Sequence, residues 1–208
     1  MSTSAVGCRG QPWAAPPPGE GLYRDPVSRH RTLIHERVEQ AQNGENPTVI
    51  CRLGSGWAVL GDEQYLAGYS LLLPDPVVDH LTDLSDPARN EYLGDMALVG
   101  EALHACTDAI RINYEILGNG DAALHAHVFP RYQSEPDVYR RAPVWAYTSR
   151  QRSSMRFDPA IHGDLQRSLR TYLNQRRIDN RQTYLQQRGA GALQAEADHP
   201  EPGRLGRS

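Results

Sequence analysis

A chain of 208 residues is long enough for one ordinary domain with extensions, and such a domain buries a core without disulfide or metal staples. A formal charge of −3 supplies no global basic field, which argues against recruitment to nucleic acid or an anionic membrane and makes any phosphate recognition local. All 22 basic residues are arginine, which removes Schiff-base and P-loop lysine chemistry.

Residues 1–25, rich in Pro, Gly, Ala and Ser, are expected to form a disordered arm, since they cannot bury enough surface to offset chain entropy. A helix is expected within 26–45, running from Ser28 as its N-cap to Gln42, with Leu33, Ile34, Val38 and Ala41 on one stripe. Three short β-type runs follow: TVICRL, GWAVLGD and GYSLLLP. The period then changes. Ser85 is an N-cap with Pro87 in the first turn, and Leu93, Met96, Ala97, Val99, Gly100, Leu103 and Cys106 recur at helical spacing. Two further strands, RINYEILG and ALHAHVFPRY, flank a short NGD turn. Asp158-Pro159 opens a late amphipathic helix through Leu165, Leu169, Tyr172 and Leu173, a helical extension expected over 149–185, and 186–208 reads as a disordered tail. Connections between adjacent strands are too short for parallel crossovers. The expectation is therefore an α+β domain over 46–148: an antiparallel five-stranded sheet packed by a long helix, with extra N- and C-terminal helices.

Cys8, Cys51 and Cys106 are odd in number and widely spaced, which speaks against a disulfide framework or a zinc clip and fits a cytoplasmic protein. No stretch approaches the roughly 18 continuous apolar residues of a membrane span, so neither membrane insertion nor secretion is expected.

The chemistry concentrates in ALHAHVFPRY, residues 123–132. On a strand, His125 and His127 point to one face, with Cα atoms roughly 6.5 to 7 Å apart, while Leu124, Ala126 and Val128 point to the other. Spacing alone leaves open two packed strand histidines. The loop Leu117-Gly118-Asn119-Gly120-Asp121 sits at the mouth of that strand, and its glycines permit positive φ, so that backbone N–H groups converge on an anion. A plain Asn-Gly hairpin turn is the alternative. Imidazoles on one side of a phosphate and backbone donors on the other suit phosphoryl or nucleotidyl transfer. A metal site from His125, His127 and Glu115 is a further possibility at this spacing, although no carboxylate lies within the run; none is predicted.

The stretches NYEILGNGDAALHAHVFPRYQSEP and GYSLLLPDPVVDHLTDLS resemble the histidine-triad superfamily of nucleotide hydrolases and transferases, in particular its diadenosine-tetraphosphate-hydrolase-like branch. The resemblance covers residues 46–148. The family frame, three histidines at alternate positions followed by Pro-Arg, falls on 123–131, with Ala123 where the first histidine is usual. The resemblance implies cleavage at the α-phosphate of a dinucleoside polyphosphate or related nucleotide conjugate, with His125 as nucleophile and His127 donating to the phosphoryl or leaving oxygen. It implies phosphate contacts at Asn119 and Gly120, a polar position beside the site at Asn113 and a ribose contact at Asp62, for which turn capping is the other reading. Arg131 suits a phosphate by guanidinium geometry, and a solvated arginine paired with Asp or Glu is the equal alternative. Tyr69, standing where the family has a histidine, reads as core or pocket wall. Trp145 is expected at the far end of the strand or at a partner subunit. No cofactor is implied beyond magnesium accompanying a polyphosphate substrate, and the expected partners are a nucleotide and a second copy of the chain, as a homodimer. A nucleotide-binding protein with little turnover is the alternative that Ala123 raises. A backbone carbonyl is expected to hold one ring nitrogen of His125 and fix its tautomer.

Overall fold

The structure, a computed structural model, describes residues 31–197. The arm at 1–25, Ser28 and Cys8 lie outside the described residues, as does the tail from 198. Five strands, β1 Val49–Arg52, β2 Gly56–Leu60, β3 Ser70–Pro74, β4 Arg111–Ile116 and β5 Ala126–Arg131, form one antiparallel sheet in the order β1-β2-β3-β5-β4. The helices are α1 Leu33–Gln42, α2 Asp86–Cys106, the single turns α3 Asp137–Arg140 and α4 Ser149–Arg152, and the long α5 Pro159–Ala197. The expected α+β class, strand set and long helix are all present.

Alternation along the strands creates two layers. Ile50, Ala58, Leu72, Leu124, Ala126 and Val128 pack against Tyr92, Val99 and Leu103 of α2 and Leu169 and Leu173 of α5 in one buried cluster. Each such Val, Leu or Ile side chain contributes roughly 1.5–3 kcal/mol when fully buried. Tyr92 takes the core position that periodicity gave to Leu93, and its hydroxyl donates to the Leu72 carbonyl at 3.0 Å. On the other face, Ile34 and Val38 of α1 cover Val59, Leu73 and Ala123.

Both terminal helices differ from expectation in extent. α1 starts at Leu33 because Thr32 and His35 form a capping box, the Thr32 N–H and hydroxyl both meeting His35 Nδ1. Leu33 is consequently exposed, and the buried stripe is Ile34, Val38 and Ala41. α5 continues past residue 186 through a run rich in Ala, Leu, Gln and Glu, strong helix formers that outweigh the glycines among them. Gln166, Arg170 and Arg177 donate to the carbonyls of Pro47, Val49, Ile50 and Arg52, so α5 caps the β1 edge of the sheet. No described helix is long and apolar enough to cross a membrane.

Candidate active site

His125 immediately precedes β5 and His127 lies within it, and parity sends both rings to the face opposite α2. The ring centroids are 4.7 Å apart with planes at 76°. Both residues are nearly buried, 7% and 8% exposed. His127 is flanked by Leu71 of β3 and Glu115 of β4 in register.

The stretch ahead of β5 is pinned rather than paired. Ala123 N–H donates to Asp121 Oδ1 at 3.1 Å, and Leu124 N–H donates to the Val78 carbonyl at 2.8 Å. His125 Nδ1 then meets the Ala123 carbonyl at 2.7 Å. A carbonyl only accepts, so Nδ1 carries a proton, and whenever the ring holds a single proton the lone pair is on Nε2. The anchor expected for His125 is thus present. His127 has a different partner: its Nδ1 lies 2.6 Å from the Tyr69 hydroxyl. Burial, and secondarily the neighbouring His125, lowers the pKa of His127 to about 4, so this ring is neutral at pH 7.

Tyr69 is held from several sides. Gly68 adopts φ +92°, which a side chain would strain, and turns the chain into β3. The buried amide of Gln64 donates to the carbonyls of Gly61 and Tyr69 and accepts from Gly68 N–H. The Tyr69 ring stacks on Phe129 at 4.2 Å and lies against Gly61, where a Cβ would meet it at 2.5 Å.

Two walls complete the face. Trp145 stands edge-on to His127 at 5.6 Å, its indole N–H on Glu115 Oε2 at 2.5 Å and the Arg152 guanidinium 5.5 Å above its ring. On the other side, a cavity of about 180 Å³ opens between α1 and the sheet, lined by Leu33, Ile34, Arg37, Asp62, Tyr69 and Leu71 among others. Asp121 Oδ2 accepts from Ile34 N–H at 3.3 Å and ties the start of α1 to the loop before the histidines.

No family model and no curated protein matches the chain. Solved structures do. A histidine triad protein from Bradyrhizobium japonicum is 21% identical over 64% of this chain and 95% of its own, with a TM-score of 0.52. One from Marinobacter aquaeolei VT8 is 18% identical over 61% and 88%, with a TM-score of 0.53. A hypothetical histidine triad nucleotide-binding protein from Sulfolobus tokodaii is 14% identical over 67% and 92%, also at 0.53. The chain has the histidine-triad fold.

Within that fold the expected site residues fare unequally. The structure brings His125 and His127 together and puts Asp62 on the cavity, where its Oδ2 accepts from Arg37 at 2.5 Å. Asn119 and Gly120 stand exposed in the loop, and neither Gly118 nor Gly120 has positive φ, so the expected convergence of backbone donors is not formed there. Asp121, not named among the expected contacts, accepts instead from the N–H groups of Ile34 and Ala123.

Arg131 requires a correction. It is 3% exposed, and all five of its N–H groups go to Glu135, Asn113 Oδ1 and the carbonyls of Ala142 and Tyr139. None is left for a phosphate. Asn113, expected beside the site, faces Arg131 and sits opposite Phe129, one residue pair beyond Glu115 and His127 on that face. Tyr69 is buried and lines the cavity as expected, and it is in addition a hydrogen-bond partner of His127. Position 123 is closed by packing, with Ala123 fully buried in the cluster of Ile34 and Val38.

Proposed function

We propose that the chain is a nucleotide hydrolase or transferase that cleaves at the α-phosphate of a dinucleoside polyphosphate or related nucleotide conjugate. The observation that carries this reading is the carbonyl-anchored His125, which shares a face with His127, whose neighbours Tyr69 and Leu71 line the cavity. His125 Nε2 attacks the α-phosphorus, a bond forms between them, and the bond from phosphorus to the leaving oxygen breaks. His127 donates to that oxygen or to a phosphoryl oxygen as charge gathers there. Water then attacks phosphorus, its proton passes to solvent, and the N–P bond breaks, returning the electron pair to His125 Nε2 and freeing the nucleotide. Asp62 is the ribose contact in this reading, and exchange of Arg37 for ribose hydroxyls accompanies binding. Asn119 and Gly120 approach the phosphates from the exposed loop.

The Sulfolobus protein that shares the fold is described as nucleotide-binding, which supports the same ligand class. Magnesium accompanies the polyphosphate in this account. β1 is capped by α5, whereas β4 is the other edge of the sheet, and a homodimer joined through β4 follows as the assembly. The unpaired Cys51 and Cys106 suit a cytoplasmic setting.

Ala123 favours a second reading, nucleotide binding with little turnover, because the position leaves no imidazole beside His125. Calorimetric titration with AMP beside a hydrolysis assay on diadenosine tetraphosphate separates the two. Product formation supports the enzyme; binding without product supports the second reading, and neither binding nor product defeats both.

A further inference from the structure

We propose that Tyr69 is a positioning residue that donates its hydroxyl proton to His127 Nδ1, which places the His127 proton on Nε2 and gives the two site imidazoles opposite tautomers.

The argument is one of hydrogen-bond inventory. Tyr69 Oη and His127 Nδ1 are 2.6 Å apart and both residues are buried. A phenol can donate or accept, while a neutral imidazole has one N–H and one lone pair. If His127 Nδ1 were the donor, the Tyr69 hydroxyl hydrogen would need another acceptor. Among the described residues Tyr69 Oη has no second partner, and the nearby Tyr65 hydroxyl is itself without one, so it does not take that role. A buried O–H left without an acceptor loses its hydrogen bond to water and gains nothing in exchange. With Tyr69 donating, its hydrogen and the His127 Nδ1 lone pair are both satisfied. Burial also raises the Tyr69 pKa far above the ordinary phenol range, so the donor keeps its proton.

His125 is fixed the other way by the Ala123 carbonyl. One ring therefore presents a lone pair at Nε2 and the other an N–H at Nε2. Two bare nitrogens would leave the phosphate oxygens without an imidazole donor; two N–H groups would leave no nucleophile. The orientation is rigid, because Tyr69 lies on Phe129 at 4.2 Å and on Gly61, and its backbone is bonded to Gly61, Gln64 and Leu66. The mechanistic use of the tautomer pair rests on the proposed function; the tautomer itself does not.

The test has two arms on the full chain. Nitrogen-15 NMR of histidine-labelled protein at pH 7, with His127 assigned by difference against His127→Gln, is expected to show Nε2 protonated and Nδ1 bare. In Tyr69→Phe that single tautomer is expected to give way to a mixture. A wild-type His127 protonated on Nδ1, or ring signals unchanged in Tyr69→Phe, overturns the proposal whether or not any nucleotide is turned over. In the kinetic arm, Tyr69→Phe is expected to lower kcat by about tenfold or more with KM nearly constant, and the loss to grow as the leaving group becomes more basic. An equal loss for all leaving groups overturns the donor role. Absence of wild-type turnover defeats the proposed function and leaves the NMR arm to decide Tyr69.

Discussion

Arg131 and Glu135 meet inside the protein, Nη2 to Oε2 at 2.9 Å, with side chains 4% and 5% exposed. Around them Asn113, Tyr147, the Tyr132 N–H and two carbonyls complete the hydrogen bonds, and the segment from 132 to 147 is wrapped on this pair. Trp145, the wall beside His127, sits on that segment. A strand-end arginine thus holds the site's flank without touching a ligand.

Removing one partner strands the other charge. Arg131→Ala is expected to destabilise the protein by about 3–5 kcal/mol, and Glu135→Ala by a similar amount, as read by urea denaturation. Arg131→Lys is not expected to restore stability, since an ammonium cannot reproduce five directed donors. A loss under 1 kcal/mol in Arg131→Ala contradicts this assignment.

Stability depends on pH through two groups. His127 has a folded pKa of about 4 against an ordinary 6.5, so as pH falls from 6.5 towards 4 the unfolded chain takes up a proton that the folded chain refuses. Stability is full above that window and declines within it, by up to the order of 3 kcal/mol. Burial pushes the Glu135 carboxyl up, but bonds from Arg131, the Tyr132 N–H and the Tyr147 hydroxyl outweigh it and leave the pKa below its ordinary value. Its contribution is present above pH 4.5 and disappears as pH drops through the lower folded value. Denaturation of wild type and His127→Gln at pH 7 and pH 5 checks the first group: wild type should lose more than the variant, and equal losses would count against the assignment.

Position 123 offers a packing test. Ala123 is fully buried against Ile34 and Val38, so Ala123→His must displace α1. A destabilisation of about 1–3 kcal/mol is expected in thermal or chemical denaturation. An unchanged midpoint would mean that α1 leaves room for a third imidazole.

The two imidazoles should differ in kinetic weight. His125→Ala removes the nucleophile and is expected to lower kcat by several orders of magnitude, whereas His127→Ala removes a donor and should cost less, roughly 10²–10⁴-fold. Steady-state rates on diadenosine tetraphosphate measure both. Equal losses would contradict the division of roles.

The sheet and the shared face of His125 and His127 were legible because strand parity is a local rule. So were the start of α2 after Ser85, although the serine side chain makes no capping hydrogen bond, and the core stripe of Leu165, Leu169 and Leu173. Tyr69 was not: its partner lies 58 residues away, and only the register of β3 on β5 brings them together. Arg131 misled for the same reason, since a Pro-Arg at a strand end looks free until residues 113, 135, 139 and 142 close on it. Glu135, four residues on, was the one local hint. In the loop, two glycines and an asparagine suggested an anion cradle, but neither glycine has positive φ, and the Asp121 carboxylate accepts from Ile34 and Ala123 N–H, tying the loop to α1 and to the stretch before β5.

The most direct measurement is mass spectrometry of the full-length protein quenched in acid-free denaturant during turnover of diadenosine tetraphosphate. The account predicts an added adenylyl mass on the peptide that contains His125, absent in His125→Ala. Turnover with no adduct on that peptide, or an adduct that persists in His125→Ala, would contradict a covalent step at this imidazole.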